Sequence, residues 1–342
     1  MPDSGQTEGR KVDHIKIVLG EDVAAKGVAT GFDAYRLPHT ALPELDLAEI
    51  DTTTSFLGKQ IGAPLLISSM TGGASIAEKI NLALAEAAEH LRLPMGVGSQ
   101  RAAVVDSRLA PTYQVRRVAP TIPLLANLGA VQLNYGFGVE QCRRAVEMIE
   151  ADALILHLNP LQEAVQPEGN TNFKGLLRKI EQLCRELEVP VVVKEVGNGI
   201  SGRDARRLFD CGVRVIDVAG AGGTSWSEVE RFRQQDDQGR RVAGAFANWG
   251  RPTTECIKEV RAAVPEATII GSGGVRSGVD VAKAIALGAD LAGTAKPALV
   301  SAIDERGAEA VLEGLGAFIK ELRVAMFCAG CGDLGALRAL GL

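Results

Sequence analysis

From about residue 64 onward, short apolar runs alternate with polar turns and with stretches of helical periodicity. Pro64-Leu65-Leu66-Ile67-Ser68-Ser69 opens the series, followed by Met70-Thr71-Gly72-Gly73 and a helical stretch over residues 77–91. Similar apolar runs begin at Pro94, Pro123, Ala153, Pro190, Val213, Thr268 and Leu291. Helical patterns at residues 140–149, 173–187, 202–211 and 278–287 fall between them. Continuous apolar runs suit strands covered on both faces, and strands alternating with helices imply a parallel sheet. Eight such units predict a closed α/β fold, a (β/α)8 TIM barrel. An open doubly wound sheet is the alternative, but it has fewer repeats and an early phosphate loop that this chain lacks.

Two segments break the rhythm. Residues 1–60 are polar and turn-rich, and read as an N-terminal extension with a mobile start. Residues 228–250 read as a polar insertion after the sixth strand, on the active-site face of a barrel, where a lid would lie. The whole chain, 1–342, is expected to form one domain.

Composition narrows the class. Apolar residues make up 46% and aromatics 4%, with 39 glycines, which suits an aliphatic core with many tight turns. The net charge of −5 without a basic run points to neither nucleic acid nor an anionic membrane surface. No stretch is apolar enough to span a bilayer, and residues 1–16 lack the apolar core of a secretion signal. Six scattered cysteines suggest a reduced, cytoplasmic protein. Cys328-Ala329-Gly330-Cys331 is a CxxC with no second pair to complete a zinc site.

The richest chemistry lies at the end of the fourth strand. His157-Leu158-Asn159-Pro160-Leu161-Gln162-Glu163 places an imidazole, two amides and a carboxylate on one loop. In a barrel that end is the floor of the active site. Such groups bind phosphate oxygens, orient a proton or hold Mg²⁺. The bland alternative is a surface loop with a helix cap.

Gly271-Ser272-Gly273-Gly274-Val275-Arg276-Ser277-Gly278 and Gly293-Thr294-Ala295-Lys296-Pro297 follow the last two strands, where barrels hold phosphate. Sugar phosphates and flavin mononucleotide (FMN) share that site. Ser69, Met70 and Thr71 after the first strand, Ser99 after the second, Asn127 after the third and Lys194 ending the fifth favour a flavin. Its planar polar ring needs edge hydrogen bonds from several strands. Ala219-Gly220-Ala221-Gly222-Gly223-Thr224-Ser225-Trp226 is a second glycine loop, whose Trp226 either covers a ligand or packs under the insertion.

With these motifs together, the chain resembles the type 2, FMN-dependent isopentenyl-diphosphate isomerases over nearly its full length. The resemblance rests on Arg10-Lys11-Val12-Asp13-His14-Ile15, Met70-Thr71-Gly72-Gly73, Gly98-Ser99-Gln100-Arg101, the His157–Glu163 run, Val193-Lys194-Glu195-Val196-Gly197 and the glycine loops. It implies interconversion of isopentenyl and dimethylallyl diphosphate with reduced FMN, Mg²⁺ and NADPH as reductant. By that resemblance Ser69, Met70, Thr71, Ser99, Asn127, Lys194, Thr224, Gly273, Gly274, Arg276, Ala295 and Lys296 hold FMN. Arg10, Lys11, His14, Arg101, His157 and Asn159 bind the diphosphate. Gln162 lies near the isoprenyl part, and Glu163 holds Mg²⁺. Gln162, Glu163 and His157 form the catalytic set, and family members are homotetramers or homo-octamers.

The residues themselves agree with such a substrate, since a diphosphate needs several cations. Arg10 and His14 share a face if that segment is helical. The chain shows no carboxylic-acid pair suited to protonating an alkene, which leaves the reduced flavin N5 as the acid and base. Two other functions were weighed. An FMN-dependent 2-hydroxy-acid oxidoreductase carries a His-Gly-Gly-Arg run after the sixth strand, where this chain has Ala221-Gly222-Gly223-Thr224. A non-catalytic flavin redox sensor would use Cys328 and Cys331.

Overall fold

The computed structural model describes residues 4–342. Two short strands, β1 (Thr54–Phe56) and β2 (Lys59–Ile61), pair as an antiparallel hairpin. Eight parallel strands then close a barrel: β3 (Leu65–Ile67), β4 (Met95–Gly96), β5 (Leu124–Gly129), β6 (Ala153–His157), β7 (Val191–Lys194), β8 (Val215–Asp217), β9 (Thr268–Ser272) and β10 (Leu291–Thr294). β10 pairs back onto β3, so no edge is left open.

The pleat sorts the barrel interior into layers. Leu66, Leu125, Ile155, Val192, Val215, Ile270 and Leu291 point inward and form one apolar cluster. Phe56 and Ile61 of the hairpin join that cluster and plug the amino end of the barrel. Burying each such side chain contributes about 1.5–3 kcal/mol. Two residues further along the same inward faces stand Ser68, Asn127, His157, Lys194, Asp217 and Ser272. The inner surface thus turns polar at the carboxyl end, where a TIM barrel carries its chemistry.

The amino-end face is stapled twice in the same way. Asp152 accepts the Leu124 N–H at 2.9 Å and Arg116 Nη2 at 2.9 Å. Asp290 accepts the Ile269 N–H at 2.9 Å and Arg261 Nη2 at 2.6 Å. In both, a carboxylate satisfies a strand N–H while an arginine covers loop carbonyls.

The helices Ser75–Leu91, Val139–Met148, Leu176–Glu186, Gly202–Asp210 and Gly278–Ala286 lie close to their expected positions. Thr253–Ala263 and the long Ala308–Cys328 were not expected; the latter packs on Ser75–Leu91 and Gly278–Ala286. After β4 the chain makes only the short helix Arg101–Val105 and the 3-10 turn Ser107–Tyr113.

The reading of residues 1–60 as turn-rich sequence needs correction, because helix Ser4–Gly20 and the hairpin lie there. Ile15 and Val18 anchor that helix with their buried apolar side chains. The mobile start falls in part on residues 1–3, outside the described residues. The stretch 228–250 is likewise no polar loop. Helices Trp226–Arg233 and Asp237–Gly244 occupy it, with Val229, Glu228 and Glu230 buried. Among the described residues no helix is long and apolar enough to cross a membrane.

Candidate active site

A cavity of about 420 Å³ opens at the carboxyl end of the barrel. Every site residue expected from the sequence lines it. Ser69, Met70, Thr71, Ser99, Asn127, Lys194, Thr224, Gly273, Gly274, Arg276, Ala295 and Lys296 form one part. Arg10, Lys11, His14, Arg101, His157, Asn159, Gln162 and Glu163 form the other.

The first part fits FMN. The Ser68 and Ser69 hydroxyls are buried without a hydrogen-bond partner among the described residues, so two polar groups await a ligand edge. A Cβ at Gly293 would stand 2.8 Å from Ser68 Oγ, so only glycine keeps that space open. Gly273 and Gly274, at φ of 109° and 72°, bring the loop after β9 against the loop after β8. Arg276 Nη2 donates to the Gly222 carbonyl at 3.2 Å and ties the two loops together. Lys194 donates to the Glu195 carbonyl at 2.5 Å from the inner face of the barrel. Beside it, Asp217 accepts from Ser272 Oγ at 2.5 Å, and burial pushes its carboxyl above the usual range.

His157 Nδ1 lies 2.8 Å from Asn127 Oδ1. The imidazole and the Asn127 amide thus share one hydrogen bond through Nδ1, which leaves Nε2 without a partner among the described residues. Burial, with Lys194 and Lys11 nearby, pushes its pKa down to about 3, so the imidazole is neutral at physiological pH.

The second part is built on helix Ser4–Gly20. Lys11 donates to the Ser99 carbonyl at 2.8 Å and to the Tyr113 hydroxyl at 2.5 Å. Burial and the Arg10 charge bring its pKa down to about 7. Arg10 pairs with Glu168 at 3.6 Å, and its buried Nε has no partner among the described residues. Arg101 donates to Asn170 Oδ1 at 3.2 Å. His14 stacks edge-on against Trp226, with ring centroids 5.0 Å apart. Trp226 therefore both lines the cavity and packs under the N-terminal helix. An orphaned guanidinium donor beside further cations suits an anion such as a diphosphate.

Glu163 sits among amides. Its Oε1 accepts from Asn159 Nδ2 at 3.1 Å, and its Oε2 from Gln166 Nε2 at 3.0 Å and Asn170 N at 2.5 Å. Gln162 donates from Nε2 to Glu230 Oε1 at 3.1 Å, and its Oε1 accepts from Asn159 Nδ2 at 3.1 Å. Glu230 also accepts from His14 at 3.1 Å and from Arg233 at 2.6 Å. No cluster of three or more His, Cys, Asp or Glu placed for a metal occurs among the described residues. A lone carboxylate suits Mg²⁺ that takes its other oxygens from water and phosphate.

Several of these residues escaped the sequence reading. Asp217 and Ser272 were legible, since each lies two positions beyond an inward apolar residue. Tyr113, Asn170 and Glu230 carried no local signal, for only the fold brings them here. The CxxC stands apart: Cys328 borders a separate groove beside Arg36 and His39, and all six thiols are free.

The FMN-dependent dehydrogenase family matches residues 5–114 and 152–340. An isopentenyl-diphosphate delta-isomerase of a Nostoc species is 53% identical over 99% of this chain and 96% of its own length. Proteins of the same name from a Synechocystis species and from Stutzerimonas stutzeri are 56% and 54% identical. These two alignments cover 98% and 96% of this chain, and 96% and 95% of those proteins. Among solved structures, a lactate oxidase (putative) of Pediococcus acidilactici superposes with a TM-score of 0.68 at 16% identity, over 99% of this chain and 93% of that one. A mandelate oxidase with (S)-2-phenylpropionate gives 0.66 at 22% identity, over 98% and 96%. Those two likenesses establish the shared barrel alone. The chain belongs to the FMN-dependent dehydrogenase family and, within it, to the isopentenyl-diphosphate delta-isomerases of type 2, the FMN-dependent kind.

Proposed function

We propose that this protein interconverts isopentenyl and dimethylallyl diphosphate in isoprenoid biosynthesis, using reduced FMN, Mg²⁺ and NADPH as reductant. One observation carries the reading: a flavin-shaped set of strand-end groups and a cationic, amide-rich set share one cavity. The names of the close relatives support it.

Ser69, Met70, Thr71, Ser99, Asn127, Lys194 and Thr224 would hold the ring and ribityl chain of FMN. Gly273, Gly274, Arg276, Ala295 and Lys296 would hold its phosphate. Reduced and bound there, FMN would supply an acid–base group at N5 and an electron-rich face beside a developing tertiary cation. Arg10, Lys11, His14, Arg101, His157 and Asn159 would surround the diphosphate, and Glu163 would carry its Mg²⁺. The cations neutralise charge, while His157, kept neutral by burial, would meet the diphosphate through Nε2. Gln162, held at both ends of its amide, would place the alkene. Helix Ser4–Gly20 and Trp226 would keep water from the reacting carbons. A homotetramer or homo-octamer in the cytoplasm completes the proposal.

The 2-hydroxy-acid oxidoreductase reading lacks its base and its carboxylate clamp after β8, where Ala221-Gly222-Gly223-Thr224 stands. The redox-sensor reading has its thiols far from the strand ends that fit a flavin, and burial raises the Cys331 pKa. The test is anaerobic conversion of labelled isopentenyl diphosphate with FMN, NADPH and Mg²⁺, omitting each in turn. The reading expects product only with all three and no net NADPH consumption. Lack of product, with the flavin bleached by lactate or glycolate, would overturn it.

A further inference from the structure

Two buried amide oxygens, one on a residue hydrogen-bonded to Glu163 and one a single residue removed from it, accept no hydrogen bond among the described residues. Gln132 is 3% exposed and Asn159 is 4% exposed, and neither Gln132 Oε1 nor Asn159 Oδ1 has a partner among the described residues. Both line the cavity. The orientation of each amide follows from its other end. Gln132 Nε2 donates at 3.1 Å to Asn170 Oδ1, which also accepts from Arg101 and is therefore the oxygen. Asn159 Nδ2 donates to Glu163 Oε1 and Gln162 Oε1, so its oxygen faces the other way. Turning either amide would set oxygen against oxygen.

A buried acceptor without a donor keeps the full cost of its lost hydration. A diphosphate cannot relieve it, because its oxygens are acceptors as well. A hydrated cation can: Mg²⁺ keeps several waters, and its charge makes them strong donors. Gln132 is tied to the carboxylate through one residue, since the Asn170 N–H donates to Glu163 Oε2 at 2.5 Å.

We propose that Gln132, together with Asn159, forms the outer sphere of the Mg²⁺ carried by Glu163, each amide oxygen accepting a hydrogen bond from metal-bound water. This rests on the assignment of Mg²⁺ to Glu163 and extends it to a residue after β5 that no motif singles out. Gln132 is a positioning residue: it orients the hydration shell, and through it the diphosphate.

The test uses Mn²⁺ as the probe, titrated into the FMN-loaded protein with isopentenyl diphosphate. The flavin is kept oxidised so that no turnover occurs, and bound Mn²⁺ is read by electron paramagnetic resonance. Gln132→Leu should weaken Mn²⁺ binding about tenfold, as loss of an outer-sphere partner does. Gln132→Met serves if the leucine variant folds poorly, and unchanged FMN affinity verifies the fold of either. Gln132→Glu keeps an oxygen toward the metal but loses the N–H to Asn170. It should bind Mn²⁺ at least as tightly as the parent. The proposal is overturned if the leucine variant binds Mn²⁺ like the parent. It is also overturned if the glutamate variant is as weak as the leucine one, since Gln132 would then act only through Asn170. Glu163→Gln separates the two layers. If it binds Mn²⁺ like the parent, the metal assignment itself falls, and the proposal with it.

Discussion

Replacing Glu230 by glutamine changes one atom at the point where three parts of the active-site wall meet. The carboxylate is fully buried. Its Oε1 accepts from His14 of the N-terminal helix and from Gln162 after β6, each at 3.1 Å. Its Oε2 accepts from Arg233 at 2.6 Å. In the variant the amide oxygen can still serve His14 and Gln162, but the NH₂ faces the Arg233 guanidinium, donor against donor. Breaking a buried ion pair from one side costs about 3–5 kcal/mol. Arg233 keeps Glu168 at 2.9 Å, which places the loss toward the lower end. The two bonds that become neutral weaken by about 0.5–1 kcal/mol each. The sum is about 4–5 kcal/mol, a large share of the roughly 5–15 kcal/mol that holds a domain folded. Urea unfolding at pH 7 measures the total. Hydrogen exchange over residues 10–20 measures the share that falls on helix Ser4–Gly20, expected to open several-fold more often. A loss below about 1 kcal/mol with unchanged exchange would refute this account of the wall. The pH dependence is set by a competition at Glu230. Burial raises its pKa, but the hydrogen bond from His14 and the charge of Arg233 outweigh burial and hold it below the ordinary value. Its contribution is present above the unfolded carboxylate pKa and is lost as acid titrates through the folded one.

Other parts of the structure carry their own tests. Lys11 has a folded pKa near 7, below its ordinary 10.5, so the free protein binds fewer protons than the unfolded chain between those values. An arriving diphosphate should reverse this, and calorimetry at pH 8 in two buffers of different ionisation heat should show proton uptake; zero uptake contradicts it. Gly274→Ala sets a Cβ 2.5 Å from Thr30 Cγ2 at a φ of 72°, so FMN affinity measured by flavin fluorescence should fall at least about tenfold. An unchanged affinity would remove Gly274 from the phosphate cradle. Arg116→Met frees the Ala119, Ile122 and Glu150 carbonyls and one side of Asp152. It should cost about 2–4 kcal/mol in urea with activity per folded molecule intact; lost activity without lost stability would refute its purely structural role.

The barrel was legible because its strands are unbroken apolar runs that need no partner to be recognised. Their ends were less so: β4 spans only Met95–Gly96 and β8 only Val215–Asp217, although the apolar character runs on through Val97 and Val218, which are buried outside the strands. The hairpin escaped because its strands have three residues each, too short for an alternation to register. Helix Ala308–Cys328 escaped because Gly314 and Gly316 lie inside it, where glycine ordinarily argues against a helix. The site was legible wherever chemistry sits at a strand end, as at His157 and Lys194. It was not legible where a distant segment folds in: 216 positions separate His14 from Glu230. Gln132 stands between these cases, on the turn directly after β5, where its polarity is ordinary until Asn170 links it to Glu163.

The most direct measurement is anaerobic incubation of the dithionite-reduced, FMN-loaded protein with isopentenyl diphosphate and Mg²⁺ in D₂O, followed by NMR of the product. The account expects dimethylallyl diphosphate carrying deuterium in a methyl group, many turnovers per enzyme, and a flavin spectrum still bleached at the end. Product without deuterium, or a flavin oxidised in step with substrate consumed, would contradict it.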